Sequence, residues 1–226
     1  MLDIKSLCYE IRFLNNTVFA EDAELAFFKI IYSRLKRILC IDAKKNCSEC
    51  SNGESCLYNY LSSGDFVEFD NIPVILKKPL ISKKIFREGE TLNIEFTFLG
   101  NSALHIDFFN YIMKELEING LFREKYRFLI INKKIIKNSI ENTNMKVAGI
   151  DVLSPIDSDE NIFEKEKTKI EKLNNCYNIT NADLSIEDIK HETHMTRFDM
   201  KNNIYIGANR LKFKGYIGRI LFTEPI

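Results

Sequence analysis

The chain has 226 residues, 45% of them hydrophobic and 12% aromatic with only 4 prolines, enough apolar side chain for one large or two small cores and unlike a disordered chain. Its 32 basic and 32 acidic side chains cancel, which excludes a nucleic-acid binder built on bulk charge and leaves only local basic clusters for that purpose. The first twenty residues set Asp3, Lys5, Glu10 and Arg12 among apolar ones, which fits neither a signal peptide nor a membrane span. A cytoplasmic protein with no membrane partner is therefore expected. In that reducing compartment six cysteines point to metal ligands or catalysis before disulfides.

The opening "SLCYEIRFL" alternates Tyr9, Ile11 and Phe13 against Cys8, Glu10 and Arg12 and predicts a strand with one face buried. From Asp22 to Leu39, apolar residues recur at three and four, with acids at the start and Arg34, Lys36 and Arg37 near the end; this predicts a helix. "IPVILKKPLI" and "TLNIEFTFLG" read as strands joined by a basic connector. Residues 102–118 read as a second helix with Ser102 as N-cap and Asn119-Gly120 as its stop, and "KYRFLIINKKII" as a further strand. The order βαββαβ predicts a ferredoxin-like domain over residues 1–137, with a Cys-rich insert at 40–64. Its open sheet face is expected to carry Glu10, Arg12, Glu95, Thr97, Lys125 and Arg127, with none of the aromatics on which an RNA-recognition motif stacks bases. Residues 138–226 read as a partial, strand-rich second ferredoxin-like domain. In it "MKVAGIDVLS" opens a second sheet, "KHETHMTRFDM", "NNIYIGANRLKFKG" and "YIGRILFTEPI" read as strands or a hairpin with glycines at the turns, and "ENIFEKEKTKIEKLNN" reads as a charged helix. The fold class expected is thus α+β.

Three groups of residues bear on chemistry. Cys40, Cys47, Cys50 and Cys56 supply four soft ligands around one CxxC, enough to close a structural zinc site with no open position for water; the other reading is a loop of packed thiols. Basic side chains cluster in the connector (Lys77, Lys78, Lys83, Lys84, Arg87), around the last strand of the first domain (Arg123, Lys125, Arg127, Lys133, Lys134), and near the end of the chain (Arg210, Lys212, Lys214, Arg219). Each cluster is suited to RNA phosphates and equally suited to solvating an edge strand. In the third cluster, alternation sets the first three residues on one strand face. His191 and His194 in "HETH" face opposite sides if the segment is a strand, and one side if it is a helix.

The runs "LKRILC", "CSEC", "CLYNYL", "IPVILKKPL", "REGETLNIEFTFLGNSA" and "NGLFREKYRF", with "TRFDMKNNIYIGANRLKFKGYIGRILF" late in the chain, resemble in order and spacing the CRISPR-associated precursor-RNA processing endoribonucleases of the RAMP superfamily. The resemblance implies two ferredoxin-like domains and cleavage of CRISPR repeat RNA without a metal cofactor. In that reaction the ribose 2′-hydroxyl attacks the adjacent phosphate and leaves a 2′,3′-cyclic phosphate. It implies repeat RNA as partner, with other CRISPR-associated proteins beside it. The sequence departs from the family in three places: Gly120-Leu121-Phe122 stands where relatives often have Gly-x-Gly, the first helix carries no histidine, and the Gly-rich loop near the C-terminus is not found. On this reading the catalytic candidates are His191 and His194, with Tyr32 and Lys36, one helical turn apart, as substitutes for the missing histidine. RNA would be held by Lys77, Lys78, Lys83, Lys84, Arg87, Arg123, Arg127, Lys212 and Lys214. A non-catalytic RNA-holding subunit and a truncated relative stand as the alternatives to the enzyme.

Overall fold

The computed structural model describes residues 3–41, 45, 47–66, 73–77, 82–122, 125–138, 147–156, 163–165, 167–168, 171, 190–199, 204–206, 209–211 and 214–223. Two compact units are present, residues 2–139 and 140–226. Among the described residues no helix is long and apolar enough to cross a membrane.

In chain order the first unit contains β1 (Ile4–Phe13), β2 (Thr17–Val18), α1 (Ala23–Leu39), α2 (Leu57–Leu61), the single turn α3 (Ser63–Phe66), β3 (Val74–Lys77), β4 (Ile85–Phe86), β5 (Thr91–Leu99), α4 (Ile106–Asn119) and β6 (Phe128–Asn138). The period-2 pattern of β1 buries Leu7, Tyr9, Ile11 and Phe13, and that of β5 buries Leu92, Ile94, Phe96 and Phe98. These two strands pair antiparallel, β3 joins the outer side of β5, and β6 joins the other side of β1, giving a sheet in the order β3-β5-β1-β6.

Both long helices cover the same face. Phe27 of α1 packs on Phe128 at 5.3 Å, Phe109 of α4 packs on Phe98 at 4.9 Å, and Tyr32 meets Phe109 at 5.8 Å across the two helices. Each such fully buried side chain is worth about 1.5–3 kcal/mol, so this face holds the unit together. Two helices over one face of a four-stranded antiparallel sheet in this order is the ferredoxin-like βαββαβ arrangement.

The cross-strand registers fix the opposite face. Lys77, Glu95, Cys8 and Lys134 form one row across all four strands; Asn93, Glu10 and Asn132 form the next, followed by Thr91, Arg12 and Leu129. Three local expectations need correction. Lys125 and Arg127 precede β6 and lie outside the sheet. Lys133 and Lys134 are neighbours on one strand and so take opposite faces, Lys133 across from Tyr9 and Lys134 across from Cys8. Ser102 is not the N-cap of a helix. A 3₁₀ segment (Gly100–His105) leads into α4, and the buried Ser102 hydroxyl reaches the carbonyls of Pro73 and Leu99 at 2.7 and 2.8 Å, clipping β5 to the start of β3. The stop is as expected: Gly120 ends α4 at φ +70°.

The second unit contains β7 (Gly149–Ile156), β8 (His191–Asp199), β9 (Ile204–Ile206), β10 (Asn209–Leu211) and β11 (Lys214–Phe222), with helical residues at 163–165, 167–168 and 171. Strand β11 lies between β7 and β8 and is antiparallel to both. That order repeats β1-β5-β3, the first three main strands of the first unit, so this is an abbreviated ferredoxin-like sheet. Ile220 and Phe222 are its buried centre, packed by Val152, Ile156, Phe163 and Met195. Gly215 and Gly218 are demanded by backbone crowding. Both sit at φ near +150°, and a Cβ on Gly218 would run into the His194 carbonyl while one on Gly215 would run into that of Ile156. Arg210 belongs to β10 and Lys214 opens β11, so the third basic cluster does not share a strand face.

Candidate nucleic-acid interface

The chain from Leu14 to Phe19, directly after β1, is held from both sides by main-chain and asparagine hydrogen bonds. On one side Leu14 N–H donates to the Arg127 carbonyl at 2.8 Å, Asn15 Nδ2 donates to the Lys125 carbonyl at 2.8 Å, and Arg127 N–H donates to Asn15 Oδ1 at 2.9 Å. On the other side Glu88 N–H donates to Asn16 Oδ1 at 3.0 Å, Phe19 N–H donates to the Lys84 carbonyl at 2.8 Å, and Gly89 N–H donates to the Phe13 carbonyl at 2.8 Å. Asparagine suits this place because one short amide both donates and accepts against main chain. The result brings Lys83, Lys84 and Arg87 of the connector to the same end of the sheet as Lys125 and Arg127, about forty residues later in the chain.

A floor of rings lies under these loops: Phe13 on Phe86 at 4.6 Å, Phe19 on Phe86 at 6.0 Å, and Phe122 beside Tyr126 at 6.0 Å. Lys83 Nζ stands 5.3 Å over the Phe86 ring and Lys125 Nζ 5.0 Å over the Tyr126 ring. Part of the positive charge is already answered. Lys83 pairs with Glu90 at 2.6 Å and Lys84 approaches Asp22 at 4.0 Å. The Lys83 hydrogen bond, and then the Arg87 N–H, hold the Glu90 carboxyl below the usual carboxylate range. Arg87 and Lys125 form no ion pair with a described residue. Exposed pairs of this kind are weak in water, so a phosphate can exchange with the carboxylate at little cost.

The remaining RNA candidates fall elsewhere. Lys77 is on β3 in the open sheet face, paired with Glu95 at 3.1 Å. Lys214 opens β11 in the second unit, across from Asp199. Lys78, Arg123 and Lys212 lie outside the described residues. Sequence reasoning missed Asn15, Asn16 and Phe122; an Asn-Asn pair directly after a strand was the available signal.

Two of the catalytic candidates, Tyr32 and Lys36, are tied into the packing of the first unit. Tyr32 is wholly inside the core, its hydroxyl donates to the Leu61 carbonyl at 2.9 Å, and burial pushes its pKa far above the ordinary phenol range, so the phenol stays protonated. Lys36 is bound to Asp65: its Nζ lies 2.8 Å from Oδ2, while Tyr58 donates to Oδ1 at 2.5 Å. Asp65 is 2% exposed and is presented by α3, where four consecutive residues, Ser63 to Phe66, all take positive φ. That turn ties the Cys-rich insert to α1, and Lys36 is part of the tie.

The two histidines of "HETH" part company because β8 is a strand. His191 takes the inner face, its ring 4.8 Å from Phe163. His194 takes the outer face, 61% exposed, with Glu192 Oε2 at 3.9 Å and Arg219 directly across the ladder. Arg219 in turn bonds Asp151 on β7, Nε to Oδ1 at 2.6 Å, which raises the guanidinium pKa further and lowers that of the carboxyl. Asp151, Arg219 and His194 thus form a row across three strands.

The structure does not show the zinc site that the cysteine spacing suggested. Among the described residues no three His, Cys, Asp or Glu side chains are gathered closely enough to hold a metal ion, although Cys40, Cys47, Cys50 and Cys56 are all described. A 3₁₀ turn at Cys47–Glu49 and another at Gly53–Ser55 shape the loop through main-chain bonds, Cys50 N–H to the Cys47 carbonyl at 3.2 Å and Gly53 N–H to the Cys50 carbonyl at 3.0 Å. The four thiols are half-buried. Burial, then the Asp65 carboxylate, pushes the Cys47 thiol up to about 11, with smaller upward contributions from Cys56 and Cys40.

A family model described as AF_1859_N, N-terminal domain, matches residues 11–175. No curated protein matches the chain. Three solved structures are similar at low identity. A CRISPR-associated protein Cas6 gives a TM-score of 0.45 at 13% identity over 98% of this chain and 88% of its own. A Cas6 product complex gives 0.43 at 13% over 98% and 85%, and a Cas6b crystal structure 0.36 at 12% over 99% and 90%. Likenesses of this size leave the fold to rest on the strand order itself.

Proposed function

The chain belongs to the AF_1859_N family, and from that premise and the arrangement of its first unit we propose that it binds CRISPR repeat RNA and serves in its processing. The observation that supports this reading is the clamping of two sequence-distant basic loops onto residues 14–19 by Asn15 and Asn16. With no net charge to attract RNA from a distance, affinity has to come from this local cluster, and phosphate contacts there position the strand without reading its sequence. The sequence resemblance supplies the class of RNA.

Cleavage by 2′-hydroxyl attack is the finer part of the proposal. The reaction needs a proton acceptor, a proton donor and a cation near the phosphate. His194 and Arg219, adjacent on one open sheet face, are the residues that favour it. The holder without activity is the alternative, and the two separate in one experiment. Repeat RNA incubated in chelator yields a 2′,3′-cyclic phosphate product if the chain is the enzyme, and a tight complex with no product if it is the holder. Fluorescence anisotropy across a salt series tests the binding reading in either case. Replacing Arg87 and Arg127 with alanine weakens binding and flattens the plot of log K against log salt by about 1.4, two single-strand phosphate contacts. An unchanged slope would remove the interface from the loop end.

A further inference from the structure

The loop between α4 and β6 holds an aromatic side chain in a position that packing alone does not explain. Phe122 is 51% exposed, although the rings around it, Phe19 and Tyr126, are buried. Its backbone is left-handed at φ +50°, a conformation that a bulky side chain adopts at a cost of about 1–2 kcal/mol. The turn is closed by reciprocal bonds, Leu121 N–H to the Tyr126 carbonyl at 2.7 Å and Tyr126 N–H to the Leu121 carbonyl at 3.3 Å, so the strain is held in place. The ring makes edge contacts with two neighbours, 6.0 Å from Tyr126 at 87° and 6.3 Å from Phe19 at 63°. A large ring packed against two neighbours yet half in water has less side-chain freedom to lose when a ligand covers it.

We propose that Phe122 is a stacking platform for an unpaired nucleobase, which makes the loop end a site for single-stranded RNA. The assignment rests on the RNA-binding reading above and deepens it. A cation of that interface lies beside the ring: Lys125, whose Nζ stands 5.0 Å over the neighbouring Tyr126 ring. Cations for the backbone beside an aromatic face for a base is the composition of single-strand sites. In a duplex each base face is covered by its neighbours, so only an unpaired nucleotide offers a face to Phe122. The two central strands offer no such ring on the open face, where β1 and β5 carry Cys8, Glu10, Arg12, Thr91, Asn93, Glu95 and Thr97.

The test compares oligouridylate with a matching abasic ribose-phosphate strand by fluorescence anisotropy, using the full chain. Wild type prefers the strand with bases. Phe122→Ala weakens oligouridylate binding by about 5- to 100-fold, leaves abasic binding and the salt slope unchanged, and so loses the preference. Phe122→Trp restores it, and an unchanged far-UV circular dichroism spectrum shows that the variants fold. Oligouridylate binding by Phe122→Ala equal to wild type overturns the stacking assignment while the phosphate interface stands. Failure of wild type to bind either strand at low salt overturns the RNA-binding reading and this assignment with it.

Discussion

Replacing Asp65 with alanine tests the tie between the Cys-rich insert and α1. The carboxylate is 2% exposed and binds the Lys36 ammonium at 2.8 Å and the Tyr58 hydroxyl at 2.5 Å. Removing one member of a buried ion pair costs about 3–5 kcal/mol because the other charge is left uncompensated. Lys36 keeps 16% of its side-chain surface and can rehydrate in part, which favours the lower end of that range. Tyr58 loses its acceptor, a further penalty of about 1–3 kcal/mol for a buried donor, but the two losses share one acceptor and do not add in full. The expected total is about 3–5 kcal/mol, or a fall in Tm of about 6–20 °C for a chain of this size. Asp65→Asn keeps an acceptor for Tyr58 and tolerates the positive φ, so it should lose about half as much. Thermal unfolding followed by circular dichroism reads both. A melting temperature for Asp65→Ala within about 2 °C of wild type would show that Lys36 does not depend on Asp65, and the account of the insert would fail.

Gly218→Ala forces a Cβ against the His194 carbonyl and to 2.9 Å from Met195 Cα, so β8 and β11 must separate, at about 2–4 kcal/mol; faster amide hydrogen exchange in β8 is the readout. Gly89→Ala is the control, since its φ of +85° is strained but nothing lies within 4 Å; it should cost only about 1 kcal/mol. Raised Cys47 gives a pH dependence of definite sign. With the folded thiol at about 11 and the unfolded one near 9.0, the unfolded chain releases its proton first, so stability present below pH 9 is lost as pH rises through 11. Alkylation by iodoacetamide at pH 9, read by mass spectrometry, should label Cys47 far more slowly in the folded than in the unfolded protein; equal rates would count against its burial beside Asp65.

Sequence alone determined the regular elements. Alternation in "SLCYEIRFL" and "TLNIEFTFLG" set which residues of β1 and β5 are buried, and the spacing of Leu25, Phe28, Ile31, Tyr32 and Leu35 set α1, because side-chain period is a local property of the backbone. The same periodicity stated that His191 and His194 part if their segment is a strand. Tertiary structure decided which charges and loops meet. Asn15 and Asn16 bind loops about 110 and 70 residues further along the chain, and Asp65 claims Lys36 from an unforeseen left-handed turn. None of this has a period. It follows from where loop ends fall once the sheet order is set, and that order depends on long-range pairing of buried faces.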